Sequence, residues 1–296
     1  MDPDGTRLPA VAGIFYPSDK EELFESVHRC FTHQIGPGHF PQRRVPDETE
    51  TANIECLVVP HAGYEYSGPV AANSYNVAYS FFQSSSEKKT TVIILGPNHY
   101  GIGSGVALSP AERWMTPLGS VNINTDFSTR LSKICNILYI DEMAHSREHS
   151  IEVQLPFLQV VSGKERNWTL VPISMMLQDH ETSKEVAEAI LKLISDSKDR
   201  FLLIGSSDLT HYEPHEQATR KDSRLLETVS KLDHGAFYSV LEKFSISSCG
   251  YGAIATVMQI AKKLGKQKGI VLKYATSGDI TGDRSSVVGY PSVRFV

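Results

Sequence analysis

The sequence is poor in cysteine, in clustered basic charge and in long apolar runs, and each shortage excludes something. Its four cysteines, Cys30, Cys56, Cys135 and Cys249, lie far apart and form no CxxC pair. That spacing excludes a secreted disulfide framework and suits a reducing compartment. Basic residues number 29 against 34 acidic ones, and the Arg43-Arg44 and Lys88-Lys89 pairs read as solvated loop charges. Nucleic acid is therefore not expected as a partner. No window approaches the ~18 apolar residues of a membrane helix. The opening MDPDGTRLPA lacks the basic start and apolar core of a secretory signal. The expectation is a cytoplasmic protein with no membrane partner. There is also no fixed-period repeat and no low-complexity tract.

What the chain has is the composition of a folded globular protein: 296 residues, 41% hydrophobic and 21% charged. One domain over 1–296 is expected, with residues 1–10 loose or lying over the surface. Residues 34–53, rich in Gly, Pro and charge, read as an exposed loop. Four short apolar runs, at 54–59, 91–95, 169–173 and 201–205, are bounded by turn residues. Runs of this kind suit strands covered on both faces of a mostly parallel sheet. Helical patterns predict helices over 18–31, 70–82, 151–161, 182–194, 223–232 and 253–264, the first capped by Ser18 or Asp19. Two late segments, 269–277 and 286–295, read as strands, antiparallel to one another. The fold class is α/β, a single-domain sandwich with a central mostly parallel or mixed sheet flanked by helices.

Three of the runs end in residues able to do chemistry: Pro60-His61-Ala62-Gly63, Gly96-Pro97-Asn98-His99, and Ser206-Ser207-Asp208-Leu209-Thr210-His211. In open α/β sheets ligands bind beyond the carboxyl ends of the strands, so these histidines can face one crevice. A single histidine in such a place is commonly a loop or capping group; three at equivalent positions point to a shared site. Cys249 stands just before the 253–264 helix. A helix N-terminus lowers a thiol's pKa, and thiolate is the form that binds metal. The bland alternative is a small buried apolar residue, which is the reading kept for Cys30, Cys56 and Cys135. His149 and Glu152 stand three apart and can share a helix face, either as part of a site or as a charged helix start.

Seven segments, in order along nearly the whole chain, resemble the Memo family. They are Ala12-Gly13-Ile14-Phe15-Tyr16-Pro17, His61 to Gly68, Gly96-Pro97-Asn98-His99, Glu148-His149-Ser150-Ile151-Glu152, Ser206 to His211, Cys249-Gly250 and Tyr274 to Asp279. The resemblance implies a fold like that of the class III extradiol dioxygenases, non-haem iron enzymes with two histidines and a carboxylate on the metal. Carried over by motif, His61 and His99 take the histidine ligand places and His211 the acid/base place, with Asp208 beside it. Cys249 stands where the dioxygenases carry a carboxylate, a departure typical of Memo proteins. Asp208 and Glu152, with His149 nearby, are expected to orient the histidines.

A thiolate and two imidazoles can hold copper or iron, and zinc as well. Three readings stay open at this stage. One is a metal-dependent oxidoreductase acting on a small molecule or peptide of unknown identity. Another is a metal-handling protein. The third, which the resemblance also implies, is a non-enzymatic signalling scaffold that binds phosphorylated peptides through an enzyme-like pocket. A serine hydrolase built on Ser206, Ser207, Asp208 and His211 is a weaker rival, because the G-x-S-x-G elbow is absent.

Overall fold

The apolar runs become the centre of a nine-stranded mixed sheet. The computed structural model of the chain describes all residues except 1, 3, 43–52, 85–87, 164–166 and 196. The Arg43-Arg44 pair and half of the expected 34–53 loop thus lie outside the described residues.

In chain order the elements are β1 (Thr6–Arg7), α1 (Lys20–Thr32), β2 (Ile54–Val59), α2 (Gly68–Gln83), β3 (Thr90–Pro97), β4 (Val106–Leu108), β5 (Arg113–Thr116) and β6 (Gly119–Asn122). There follow α3 (Thr125–Ile134), β7 (Leu138–Ile140), α4 (Leu155–Val161), β8 (Trp168–Met175), α5 (His180–Ser195), β9 (Arg200–Ser206) and β10 (His211–Glu213). The chain ends with α6 (His215–Ser230), α7 (His234–Lys243), α8 (Tyr251–Lys263), β11 (Gly269–Thr276), α9 (Ser277–Thr281) and β12 (Val287–Phe295).

The sheet order is β10-β12-β2-β9-β3-β8-β4-β7, with β11 paired to the other side of β12's path. The central block β2-β9-β3-β8 is parallel throughout. The two late strands β11 and β12 are antiparallel, and β12 joins the block antiparallel to β2. Because side chains alternate along a strand, each central strand feeds two cores. Leu57, Val59, Ile94, Leu202 and Ile204 pack beneath α1, α2 and α4, with Val27, Tyr75 and Phe157. Val58, Ile93, Leu95, Ile173 and Leu203 pack beneath α5, α6 and α8, with Ile190, Leu225 and Ile254. No helix among the described residues is long and apolar enough to cross a membrane.

Local chemistry accounts for the helix starts. Asp19 caps α1, its carboxylate accepting from the Glu21 and Glu22 amides at 2.9 and 3.0 Å. The expected 151–161 helix is divided: a 3-10 turn at Glu152–Gln154 leads into α4, where Pro156 sits in the first turn.

Thr6 and Arg7 depart from the expectation that residues 1–10 are loose or lie over the surface. They pair in parallel with β5, and both are buried. Arg7 Nη1 meets Glu152 Oε2 at 2.6 Å, Nε donates to the His145 carbonyl at 2.7 Å, and Nη2 donates to the Glu148 carbonyl at 2.8 Å. Its guanidinium also lies 4.1 Å over the Trp114 ring. Glu152 in turn accepts from the Ala10 and Val11 amides and from the Tyr16 hydroxyl. A buried carboxylate with one cation and three further donors holds the N-terminal segment against the body.

His145 sets a pH limit on the fold. Its Nε2 lies 3.1 Å from the Ala107 carbonyl, so Nε2 carries the proton, and its buried Nδ1 has no partner. Burial, and then the Arg7 charge, push its pKa down from 6.5 to about 3. As pH falls through 6.5 the unfolded chain takes up a proton here that the folded chain refuses until about 3. The stability this neutral histidine contributes above 6.5 is therefore lost progressively between those two values. The expected slope is up to ~1.4 kcal/mol per pH unit. Urea unfolding at pH 7, 5.5 and 4.5 should show a shallower acid loss in His145→Gln; an unchanged slope would refute the assignment.

Candidate metal centre

The neighbouring order β2-β9-β3 brings three strand ends together. His61 follows β2, His99 follows β3, and Asp208 and His211 follow β9. Cys249 arrives from the other direction, just ahead of Gly250, which caps α8. A side chain at Gly250 would collide with the Ser206 carbonyl and the Ser207 side chain, so only glycine lets this loop approach β9.

The ligand atoms of His61, His99 and Cys249 all lie within 4.8 Å of one another. Cys249 Sγ is 3.1 Å from His61 Nε2. The His61 and His99 rings are nearly perpendicular, with centroids 5.2 Å apart.

The hydrogen bonds behind the rings decide which nitrogens face the pocket. Ser206 Oγ donates to the Ser150 carbonyl at 2.7 Å and accepts from Gln154 Nε2 at 2.8 Å. Its one proton is spent, so it accepts from His61 Nδ1, 2.9 Å away. His61 is thus protonated on Nδ1 and presents a bare Nε2 to the sulfur. Glu148 does the same for His99: Oε1 accepts from Nδ1 at 2.9 Å, while Oε2 accepts from the His99 amide at 2.7 Å. A carboxylate behind a histidine raises its basicity as a ligand and locks the ring.

Electrostatics keep His61 and Cys249 neutral. Burial first, then the neighbouring His99, His149 and His211, hold His61 well below the ordinary imidazole range. Burial, reinforced by the Asp208 charge, pushes the Cys249 thiol upward. This reverses the sequence expectation of a lowered pKa. The helix end is a weaker influence than the loss of water around the sulfur. The thiol proton is accordingly directed at His61 Nε2. Cys30, Cys56 and Cys135 are buried thiols whose pKa values are likewise raised, mainly by burial.

Asp208 is buried and supports the backbone rather than a ring: Oδ1 accepts from the His61 amide at 2.8 Å. Its own amide donates to Cys249 Sγ at 3.3 Å. Burial raises its pKa to about 6, against the hydrogen bond from His61. His211 stands at the edge of the site, half-buried, with Nδ1 donating to the Ser247 carbonyl 2.8 Å away.

His149 stacks on His99, centroids 4.5 Å apart at 17°, and forms a second close group with His99 and Glu148. It precedes the 3-10 turn instead of sharing a helix face with Glu152. The carboxylate that reaches the histidines is Glu148; Glu152 is committed to Arg7 and the N-terminal segment. Glu148 stood in one of the family-like segments directly before His149, and Ser206 at the end of a predicted strand, but the sequence assigned neither of them to a histidine; Gln154 and Ser247 carried no signal. Phe15 leans on His149 at 4.4 Å and also lines a cavity of about 620 Å³, together with Tyr64, Tyr66 and Arg29.

Neither serine is arranged as a nucleophile. Ser206 and Ser207 are fully buried and their protons go to the Ser150 and Asp208 carbonyls. That geometry removes the hydrolase reading, which needs a serine donating to an imidazole.

Fold and site together define an α/β protein with a pocket of two imidazoles and one thiol beyond the carboxyl ends of its parallel strands, buried at His61 and open at His99. The family described as Memo-like protein matches residues 7–294, and the chain belongs to the Memo family. It is 44% identical over 289 residues to a MEMO1 family protein of Methanopyrus kandleri, covering 98% of each chain. It is 46% identical over 289 residues to one of Sulfolobus acidocaldarius, covering 98% of this chain and 99% of that one. Among solved structures, an uncharacterized protein of Escherichia coli K12, JW3007, shares the fold at a TM-score of 0.54 and 12% identity, over 82% of this chain and 99% of that one.

Proposed function

We propose that this protein binds a copper or iron ion through His61, His99 and Cys249 and serves as a metal-dependent oxidoreductase. The observation that carries the reading is the convergence itself: Ser206 and Glu148 hold Nδ1 of the two histidines, and one nitrogen of each ring lies within 4.8 Å of the other and of the Cys249 sulfur. This donor set fits a soft or borderline ion, and zinc is a further candidate. A bound copper or iron ion would supply one-electron chemistry.

The chain's own groups would do the rest. Cys249 must give up its proton for the sulfur to become a ligand. Glu148 and Ser206 keep the rings from turning. His211, at the pocket edge with Nδ1 held by the Ser247 carbonyl, would move protons through its other ring nitrogen, and Asp208 holds the loop that carries His61. The cavity behind Phe15 offers room for a small molecule or a peptide segment.

Metal content by mass spectrometry tests the reading, on protein purified without chelator beside a Cys249→Ala variant. About one equivalent of iron or copper, lost in the variant, is the expected result. No metal in either, after anaerobic reconstitution with iron(II) or copper(I), would overturn it. That outcome would favour the scaffold reading, in which the pocket binds a peptide without a metal.

A further inference from the structure

His180 and His234 open α5 and α7, and neither belongs to the pocket above. Their rings meet at 63° with centroids 4.5 Å apart, and they lie 5.4 and 5.3 Å from the Tyr238 ring. His180 is exposed, and its Nδ1 is 3.1 Å from the Glu181 carboxylate. A carboxylate accepts, so Nδ1 is the nitrogen that donates to Glu181 and Nε2 is the one left for another partner. His234 is only 9% exposed, and its buried Nε2 has no hydrogen-bond partner among the described residues. Leaving a buried polar atom unmatched is unfavourable. Such an atom in a folded protein calls for a reason, of which an unrecorded ion is one.

Charges of both signs reach His234: burial, His180 and Lys262 hold its pKa down, while Glu181 and Asp233 act in the opposite sense. Asp179 stands close to Tyr238. The N-termini of α5 and α7 would by themselves prefer an anion. Asp179 and Asp233 occupy those ends, accepting from the Thr182 and Ala236 amides at 3.0 Å each.

We propose that His180 and His234 form a second cation site, which takes zinc or copper(II) through two imidazole nitrogens with solvent in the remaining positions. Two imidazoles with a carboxylate behind one of them are a donor set these ions accept. The site adjoins the loop of the first one. The Tyr238 hydroxyl donates to the Gln178 carbonyl at 2.8 Å. The Gln178 side chain holds the Cys249 carbonyl at 2.9 Å and the Gly252 amide at 2.8 Å. The inference stands whether or not the Cys249 pocket holds a metal.

The test is a zinc titration of the full chain against a chromophoric chelator, for the unsubstituted protein, His180→Ala and Cys249→Ala. His180 is exposed, so its substitution leaves the fold intact. The expected result is one zinc equivalent lost, or weakened at least ~10-fold, in His180→Ala and retained in Cys249→Ala. Substoichiometric copper(II) should also broaden amide resonances of residues 179–183 and 233–238. Zinc stoichiometry and affinity unchanged in His180→Ala would overturn the proposal. So would copper(II) broadening confined to the surroundings of His61 and His99.

Discussion

Arg7→Ala is expected to be the most destabilising single substitution outside the hydrophobic core, at about 3–5 kcal/mol. The reason is what it leaves behind. Glu152 is fully buried and meets its one cation at 2.6 Å. Without Arg7 its charge would be held only by two amides and the Tyr16 hydroxyl. The carbonyls of His145 and Glu148 would lose their donors as well. Removing one partner of a buried pair costs far more than the pair contributes against an apolar replacement. Arg7→Lys should rescue little, because an ammonium cannot reach three acceptors in a plane as the guanidinium does. Urea unfolding measures the effect. A loss below ~1 kcal/mol would show that the N-terminal segment is only lying on the surface.

The second large effect is expected at the pocket. Glu148→Gln should weaken metal binding by about 10–100-fold, the range for groups that orient a ligand. Burial would raise the Glu148 carboxyl, but hydrogen bonds and charge from His99, with help from His149 and the Ser150 amide, bring it down to about 2. It therefore stays ionised and accepts from His99 Nδ1 throughout the neutral range. A glutamine keeps the shape but offers a single acceptor oxygen where two now serve the His99 ring and the amides of His99, His149 and Ser150. Competition titrations with copper(I) or iron(II) would read the change, with circular dichroism confirming the fold. Equal affinity in the variant would mean that His99 needs no carboxylate behind it.

Much of this protein can be read without a structure, for definite reasons. The runs at 54–59, 91–95, 169–173 and 201–205 announce themselves because strands buried on both faces must be apolar at every position. The same sequence places His61, His99 and Asp208 at the carboxyl ends of those runs, where loops leave the sheet. Strand order is not in the sequence: only the β2-β9-β3 adjacency brings those ends together with the Cys249 loop. The short strands β4 to β7 and the helices α3 and α7 also escaped, being brief and bounded by neighbours rather than by strong periodicity.

The tertiary structure alone decided the finer chemistry. Spacing suggested that Glu152 would serve the histidines, since residues three apart share a helix face. Residues 149–151 are not helical, so Glu148 turns to His99 and Glu152 to Arg7, 145 positions away in the chain. No local rule anticipates a pair so remote. Position before a helix suggested a thiolate at Cys249, yet burial beside Asp208 keeps the sulfur protonated until something replaces the proton. Sequence determines which residues can act and on which element they sit. Protonation and partnership depend on solvent exclusion and long-range contacts, which exist only once the chain has folded.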